Sequence, residues 1–309
     1  MHLSDVHLHA PAAGDSLCLS WFRFRRTAPP DTRSSSPPLD ADGDPCVPRK
    51  QARRAAEAQP LGLRHAGATE LHAVGLQLWR AALLLADHLL SPALADLLTG
   101  ATVLDLGAGC GLTSIAAALG GARAVFCTDA HLPSLANAAH NASFNGVGRT
   151  VRVRRLEWGE GERSYQRGAM YANLVGRGVS DTARWADEPD GPFGWVDEDR
   201  RRLARCELVL AADCVYDDEA TTALVQTIAL LLPVLQADAV CLVALERRVN
   251  FCLEGMAPRA PAAEHFEREL KAQEHLNARR VPPDSVPQRF EYSRERNLDL
   301  WHVTCTPPT

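Results

Sequence analysis

Val103-Leu104-Asp105-Leu106-Gly107-Ala108-Gly109-Cys110-Gly111 decides the fold. An apolar run ends in three glycines at alternate positions, and Leu112, Ile115, Ala116 and Leu119 then recur at helical spacing. Such a pattern reads as a buried strand, a tight turn and a helix. Glycine tolerates positive φ and lets a ligand approach the backbone closely. The helix N-terminus adds unpaired N–H groups suited to an anionic group. A dinucleotide site would show G-x-G-x-x-G, but this turn reads G-A-G-C-G and lacks the closing glycine. With Asp105 just before it, the turn fits a ligand carrying a carboxylate and an ammonium better than a pyrophosphate.

Working outward, strands and helices alternate. Trp79, Ala82, Leu83 and Ala86 mark a helix that runs to about Leu90. Val125–Thr128 is a second strand, ending in Asp129, 22 residues after Gly107 and so placed to accept from ribose hydroxyls. Leu132–Asn145 is helical, and Asn137, Asn141 and Asn145 share one face, which reads as a polar solvent face. Val151–Leu156 is a third strand that delivers Glu157-Trp158, an acceptor for an adenine amino group beside a flat apolar ring. Residues 159–203 read as an irregular inserted loop. Leu208–Ala212 is a fourth strand, followed at its tip by Asp213 and Tyr216; a carboxylate and a ring there suit the head and stem of a lysine. A helix through Leu224, Ile228, Leu231 and Leu235, a strand Ala239–Leu245 and a helix over about Ala262–Leu276 follow. Phe290–Tyr292 and Leu298–Cys305 are expected to pair as a C-terminal antiparallel hairpin. Alternation of this kind predicts an α/β fold, a mostly parallel sheet covered on both faces. Right-handed crossovers put all the strand tips on one edge, where ligands bind.

Composition is compatible with this reading. The 309 residues are 46 % hydrophobic and 23 % charged, enough for a sizeable core. A net charge of −5 argues against a general nucleic-acid binder, so no direct nucleic-acid binding is expected. The nine cysteines form no C-x-x-C pair, so no zinc site is expected and buried reduced thiols are. Met1–Ala10 does not read as a secretory signal, and the apolar stretch Thr227–Leu245 is broken by Pro233, Gln236 and Asp238, so no membrane span is expected. Residues 1–24 are apolar enough to pack on a main domain that begins at 66 and runs to 309. Residues 25–65, rich in Pro, Ser, Asp and Arg over most of their length, are expected to form a disordered linker. Its Arg49, Lys50, Arg53 and Arg54 read as a solvated charge run.

Beyond the glycine turn, several segments carry a family resemblance. These are Val74-Gly75-Leu76-Gln77-Leu78-Trp79-Arg80, Cys127-Thr128-Asp129, Glu157-Trp158, Ala212-Asp213-Cys214-Val215-Tyr216-Asp217-Asp218 and Glu246-Arg247-Arg248-Val249-Asn250-Phe251. In these the chain resembles the seven-β-strand methyltransferases of the family-16 protein-lysine group. The resemblance implies a Rossmann-like seven-stranded sheet and S-adenosyl-L-methionine as cofactor. It implies donor binding by Asp105, Gly107, Gly109, Asp129, Glu157 and Ala212, with Trp79 and Trp158 flanking the donor, and a lysine channel lined by Asp213 and Tyr216. It also implies a protein substrate carrying a target lysine, a nuclear nucleic-acid-binding protein of the Kin group, with chaperones as further partners and residence in nucleus and cytoplasm. The competing readings are a methyltransferase for a non-lysine substrate, a binding module that keeps the fold without the catalysis, and a dinucleotide-dependent oxidoreductase.

Overall fold

In the computed structural model, residues 2–3, 17–24, 59–158, 191–252, 257–294 and 297–306 are described. Seven strands form the central sheet: β1 (Thr102–Leu106), β2 (Ala124–Asp129), β3 (Val151–Arg155), β4 (Leu208–Ala212), β5 (Val240–Glu246), β6 (Leu276–Val281) and β7 (Leu298–Cys305). Their order is β6-β7-β5-β4-β1-β2-β3. The five strands from β3 to β5 run parallel, and β7 is antiparallel to both its neighbours. Because the chain moves outward from β1 through β2 to β3 and then returns to β4 and β5, the order reverses between β1 and β4. That crevice is where such sheets bind ligands.

Successive side chains of a strand point to opposite faces, so each buried strand feeds two cores. Val103, Leu208, Leu210, Leu242 and Ala244 join one cluster; Leu104, Val209, Cys241 and Val243 join the other. The first face is covered by α1 (Arg80–Leu89), α2 (Leu112–Leu119) and α3 (Leu132–Phe144). The second is covered by α4 (Asp197–Leu203), α5 (Asp218–Leu231) and α6 (Pro261–Ala272). In α1 only Ala82 is not buried, and Ser91-Pro92 prevents its continuation. Helix α5 begins where the Asp217 carboxylate accepts from Ala220 N at 3.0 Å, with Asp218 and Glu219 favourably placed in its first turn.

The chain departs from its sequence reading at four places. Within the segment expected to be a linker, Gln59–His65 is a strand, paired antiparallel with Cys18–Phe24. Leu61 and Leu63 point inward and are fully buried, while Pro60 and Gly62 break the usual strand signature. Residues 25–58, with the basic run, lie outside the described residues. Within the expected inserted loop, 197–203 is helix α4, whose Asp199 pairs with Arg152 and Arg154 of β3 at 2.9 and 2.6 Å; 159–190 lie outside the described residues.

The helix expected to reach Leu276 stops at Ala272, and Leu276 opens β6. The C-terminal antiparallel hairpin is therefore β6 with β7, not Phe290–Tyr292 with β7. As an edge strand, β6 buries only Leu276, which hides it from a periodicity reading. Segment 289–294 instead wraps the fully buried Asp87 of α1. Arg289 N and Phe290 N donate to its Oδ1 at 2.7 and 3.0 Å, Tyr292 Oη donates to Oδ2 at 3.0 Å, and Arg294 pairs with the same oxygen.

The fourth departure is the asparagine face of α3. It is turned inward, and Asn137 and Asn141 are buried. Arg64 N donates to Asn141 Oδ1 at 2.9 Å, Gly62 N to Asn145 Oδ1 at 3.0 Å, and the amides return bonds to Arg64 O and Gly62 O. Three side-chain amides at one-turn spacing thus do for the free edge of Gln59–His65 what a neighbouring strand would do. Helix α3 accordingly holds the strand pair Cys18–Phe24 and Gln59–His65 onto the domain.

Candidate active site

A cavity of about 580 Å³ opens at the tips of β1, β2 and β4, and its size is that of a small-molecule site. Trp79, Gly107, Gly109, Asp129, Glu157, Trp158, Ala212, Asp213 and Tyr216 all line it. Asp105 does not. It lies one layer below, fully buried, where Thr113 Oγ1 and Ser114 Oγ both donate to its Oδ2 at 2.6 Å. Burial pushes its carboxyl up to about 6. Asp105 shares the strand face of Val103, against α2, so its work is to fasten the end of β1 to the first turn of that helix. The donor contact implied for it is replaced by this structural one.

The turn requires glycine. Gly107 has φ 63°, and a Cβ there would lie 2.8 Å from Cys214 Sγ and 2.9 Å from the Trp158 ring. Gly109 has φ 55°, and its Cβ would lie 2.7 Å from the carbonyl oxygen of Gly75. Gly75 belongs to the 3₁₀ turn Leu71–Leu76, which forms the near wall of the cavity. Asp129 closes the turn from the other side. Its Oδ2 accepts from Gly109 N at 3.0 Å and its Oδ1 from His131 N at 2.9 Å. Burial raises its pKa, opposed by those backbone donors. A carboxylate has about four acceptor positions, so room remains beside these backbone donors for a ligand hydroxyl.

Trp158 presents its ring to the Gly107 side of the cavity. Glu157 is exposed and paired with Arg155. Trp79 sits at the start of α1 and its Nε1 donates to Val74 O at 3.0 Å, tying the 3₁₀ wall to the helix. Asp213, at the tip of β4, has φ 56°, and its side chain is 1 % exposed and paired with Arg248 at 3.0 Å. Tyr216 is 42 % exposed at the mouth, its phenol pushed up to about 12 chiefly by burial. Four carboxylates line the cavity (Asp129, Glu157, Asp213 and Glu219), and among the described residues no lysine or arginine does. Arg155 and Arg248 offset Glu157 and Asp213 from outside the lining, and the remaining acidic wall opposes a pyrophosphate.

Three contributors were not singled out as site residues from sequence. Gly75 and Arg248 lie in the motif segments, but nothing local says what they touch. His131, next to Asp129, donates its backbone N–H and holds Ser134 Oγ at 3.0 Å. Among the described residues there is no cluster of metal-ligating side chains.

A family model described as lysine methyltransferase matches residues 59–171 and 192–260, more than half of the chain. The chain belongs to the lysine methyltransferase family. The chain is 35 % identical over 257 residues to methyltransferase-like protein 22 of Mus musculus, covering 79 % of this chain and 59 % of the relative. It is 33 % identical over 259 residues to methyltransferase-like protein 22 of Homo sapiens, covering 80 % and 58 %. The chain thus spans about three-fifths of the length of these relatives. A solved ribosomal protein L11 methylase from Lactobacillus delbrueckii subsp. bulgaricus aligns at a TM-score of 0.38 and 15 % identity, over 70 % of this chain and 80 % of that one. The family depends on S-adenosyl-L-methionine. The residues present fit that group: a glycine cradle that a Cβ would fill, acceptors at the tip of β2, an indole wall, and an acidic lining for a ligand with a sulfonium and an ammonium.

Proposed function

We propose that this protein is an S-adenosylmethionine-dependent protein-lysine N-methyltransferase. The observation that carries the reading is the cavity wall: a glycine cradle and four carboxylates, of which Glu157 and Asp213 are paired with Arg155 and Arg248, with Trp79, Trp158 and Tyr216 beside them. Gly107 and Gly109 would let the donor lie against the backbone, Asp129 would accept from its ribose, and Trp158 would cover its base. When bound, the donor supplies a methyl group on a cationic sulfur that leaves as a neutral thioether while the amine nitrogen bonds the carbon.

The chain's own work is positioning, which can contribute about 7–11 kcal/mol to such a displacement. The amine must arrive without its extra proton. A free lysine titrates near 10.4, so deprotonation at pH 7 costs about 5 kcal/mol. A dry passage beside a cationic sulfur lowers that cost through desolvation and like charge. Tyr216 and the face of Trp79 are placed to hold the apolar stem, and Asp213 orients the end of the passage rather than acting as the base.

The resemblance to methyltransferase-like protein 22 supports a finer reading: a lysine of a nuclear nucleic-acid-binding protein of the Kin group as the target, with the enzyme in nucleus and cytoplasm. The test is tritiated methyl transfer into a cell lysate, with site mapping of the labelled protein, beside calorimetry with S-adenosylhomocysteine and with NAD. Label on a lysine nitrogen is expected, with heat from the first nucleoside only. Heat from NAD alone, or label confined to non-lysine sites, would overturn the proposal.

A further inference from the structure

Asp213 lines the cavity at the tip of β4, beside Tyr216 and Trp79. It adopts left-handed φ, which aspartate enters more readily than most residues. This turn brings its carboxylate inward: Ala81 N donates to Oδ2 at 3.4 Å and Arg248 Nη2 to Oδ1 at 3.0 Å. Arg248 arrives from just beyond β5. Its guanidinium lies 5.1 Å from the Trp79 ring centroid, and its Nη1 donates to Val215 O at 3.5 Å, beside Tyr216. The Arg248 side chain is 32 % exposed although its partner is buried. It therefore bridges the two walls of the mouth.

The electrostatics of that ring matter to the reaction. A lone buried carboxylate beside an amine favours the ammonium, yet the attacking nitrogen must have given its proton to solvent. The other charged groups around Asp213 are already occupied. Glu246 is paired with Arg80 and accepts from Asn297 Nδ2 at 2.9 Å. Asp129 holds the glycine turn, and Asp217 caps α5. Burial keeps the Tyr216 phenol and the Cys214 thiol protonated. Glu157 is paired with Arg155 and Glu219 is exposed on the first turn of α5, so Asp213 is the buried carboxylate at the mouth able to trap a cation, and an arginine covers it.

On the lysine-methyltransferase reading, we propose that Arg248 is a positioning residue: paired with Asp213 and laid on Trp79, it prevents that carboxylate from holding the incoming lysine as an ammonium. The indole and Tyr216 then guide an uncharged amine. The probe is n-butylamine, the lysine side-chain fragment, titrated by ligand-detected NMR into the full chain saturated with S-adenosylhomocysteine at pH 7.5. Arg248→Gln should bind n-butylammonium at least fivefold more tightly than the parent, because the carboxylate is freed. The double variant Arg248→Gln with Asp213→Asn should lose that gain, and Arg248→Lys, which keeps the cation, should stay within twofold of the parent. An equal gain in Arg248→Lys, or none in a folded Arg248→Gln that still binds S-adenosylhomocysteine, would overturn the proposal. If Arg248→Gln does not fold, Asp213→Asn alone decides. A change under twofold upholds the paired carboxylate, and a tenfold loss of n-butylammonium affinity shows that Asp213 holds the cation despite Arg248. Failure of the parent chain to bind S-adenosylhomocysteine would bring down the functional reading itself, and this inference with it.

Discussion

Replacing Asn141 with alanine removes three hydrogen bonds from a fully buried position. Its Oδ1 accepts from Arg64 N at 2.9 Å, and its Nδ2 donates to Arg64 O at 2.9 Å and Cys110 O at 2.8 Å. Arg64 O keeps a donor, because Asn137 Nδ2 also reaches it at 2.8 Å. The Arg64 amide, at a half-buried position, loses the Asn141 acceptor, and a donor left without a partner costs up to about 1–3 kcal/mol. Losing the bond to Cys110 O adds about 1 kcal/mol. Asn141→Ala should therefore destabilise the protein by about 2–4 kcal/mol. Urea unfolding measures this as a fall in midpoint at unchanged slope. Asn145→Ala supplies the comparison: it also breaks bonds to the Gln59–His65 strand, but the Asn145 side chain is only half-buried and water can replace it, so about 1 kcal/mol is expected. Because Cys110 lies in the glycine turn, Asn141→Ala should also weaken S-adenosylhomocysteine binding, and Asn145→Ala should not. A loss below about 1 kcal/mol in Asn141→Ala, or equal losses in the two variants, would refute the view that the amide ladder acts as a substitute strand.

Three other outcomes are expected. Gly109→Ala places a Cβ 2.7 Å from Gly75 O at φ 55°, so calorimetry should show S-adenosylhomocysteine affinity reduced by tenfold or more; near-parental affinity would mean that the turn and the Leu71–Leu76 wall yield freely. Asp213→Ala should cut methyl transfer far more than donor affinity, which a comparison of single-turnover rates with calorimetry will read; full activity would remove Asp213 from the passage. His88 is held at about 4 by burial, helped by His302 and Arg279, so its proton binds the unfolded chain more readily. That contribution is fully present above about 6.5 and is lost as the pH falls towards 4, by roughly 3 kcal/mol at most. Urea midpoints between pH 7.5 and 4.5 should fall less in His88→Leu than in the parent, and parallel profiles would exclude His88 as a source.

The sheet was legible where one strand feeds two cores. Strands β1, β4 and β5 are near-continuous apolar runs bounded by turn residues, and few other structures bury such runs. Strand β6 and the strand Gln59–His65 were not legible, because β6 buries only Leu276 and Gln59–His65 is interrupted by Pro60 and Gly62. Of the candidate site, every strand-tip residue named from sequence reaches the cavity wall, because the tips of parallel strands share one edge. Asp105 precedes the tip by two residues and so points away with Val103.

The sequence by itself determined the alternation of elements, the glycine turn and the acid at each strand tip, since these follow from periodicity of side chains and from φ values that only certain residues adopt. The tertiary structure alone decided which way the asparagine face of α3 looks, that Asp105 is a brace, and that Arg248 covers Asp213. Two of these are pairings between segments far apart in the chain, Arg64 with Asn141 and Asp213 with Arg248, while the Asp105 brace joins a strand to the helix that follows it. A local pattern states that a polar group is present and on which side of its own element, but the partner that satisfies it is fixed only when the sheet brings distant segments within hydrogen-bond reach.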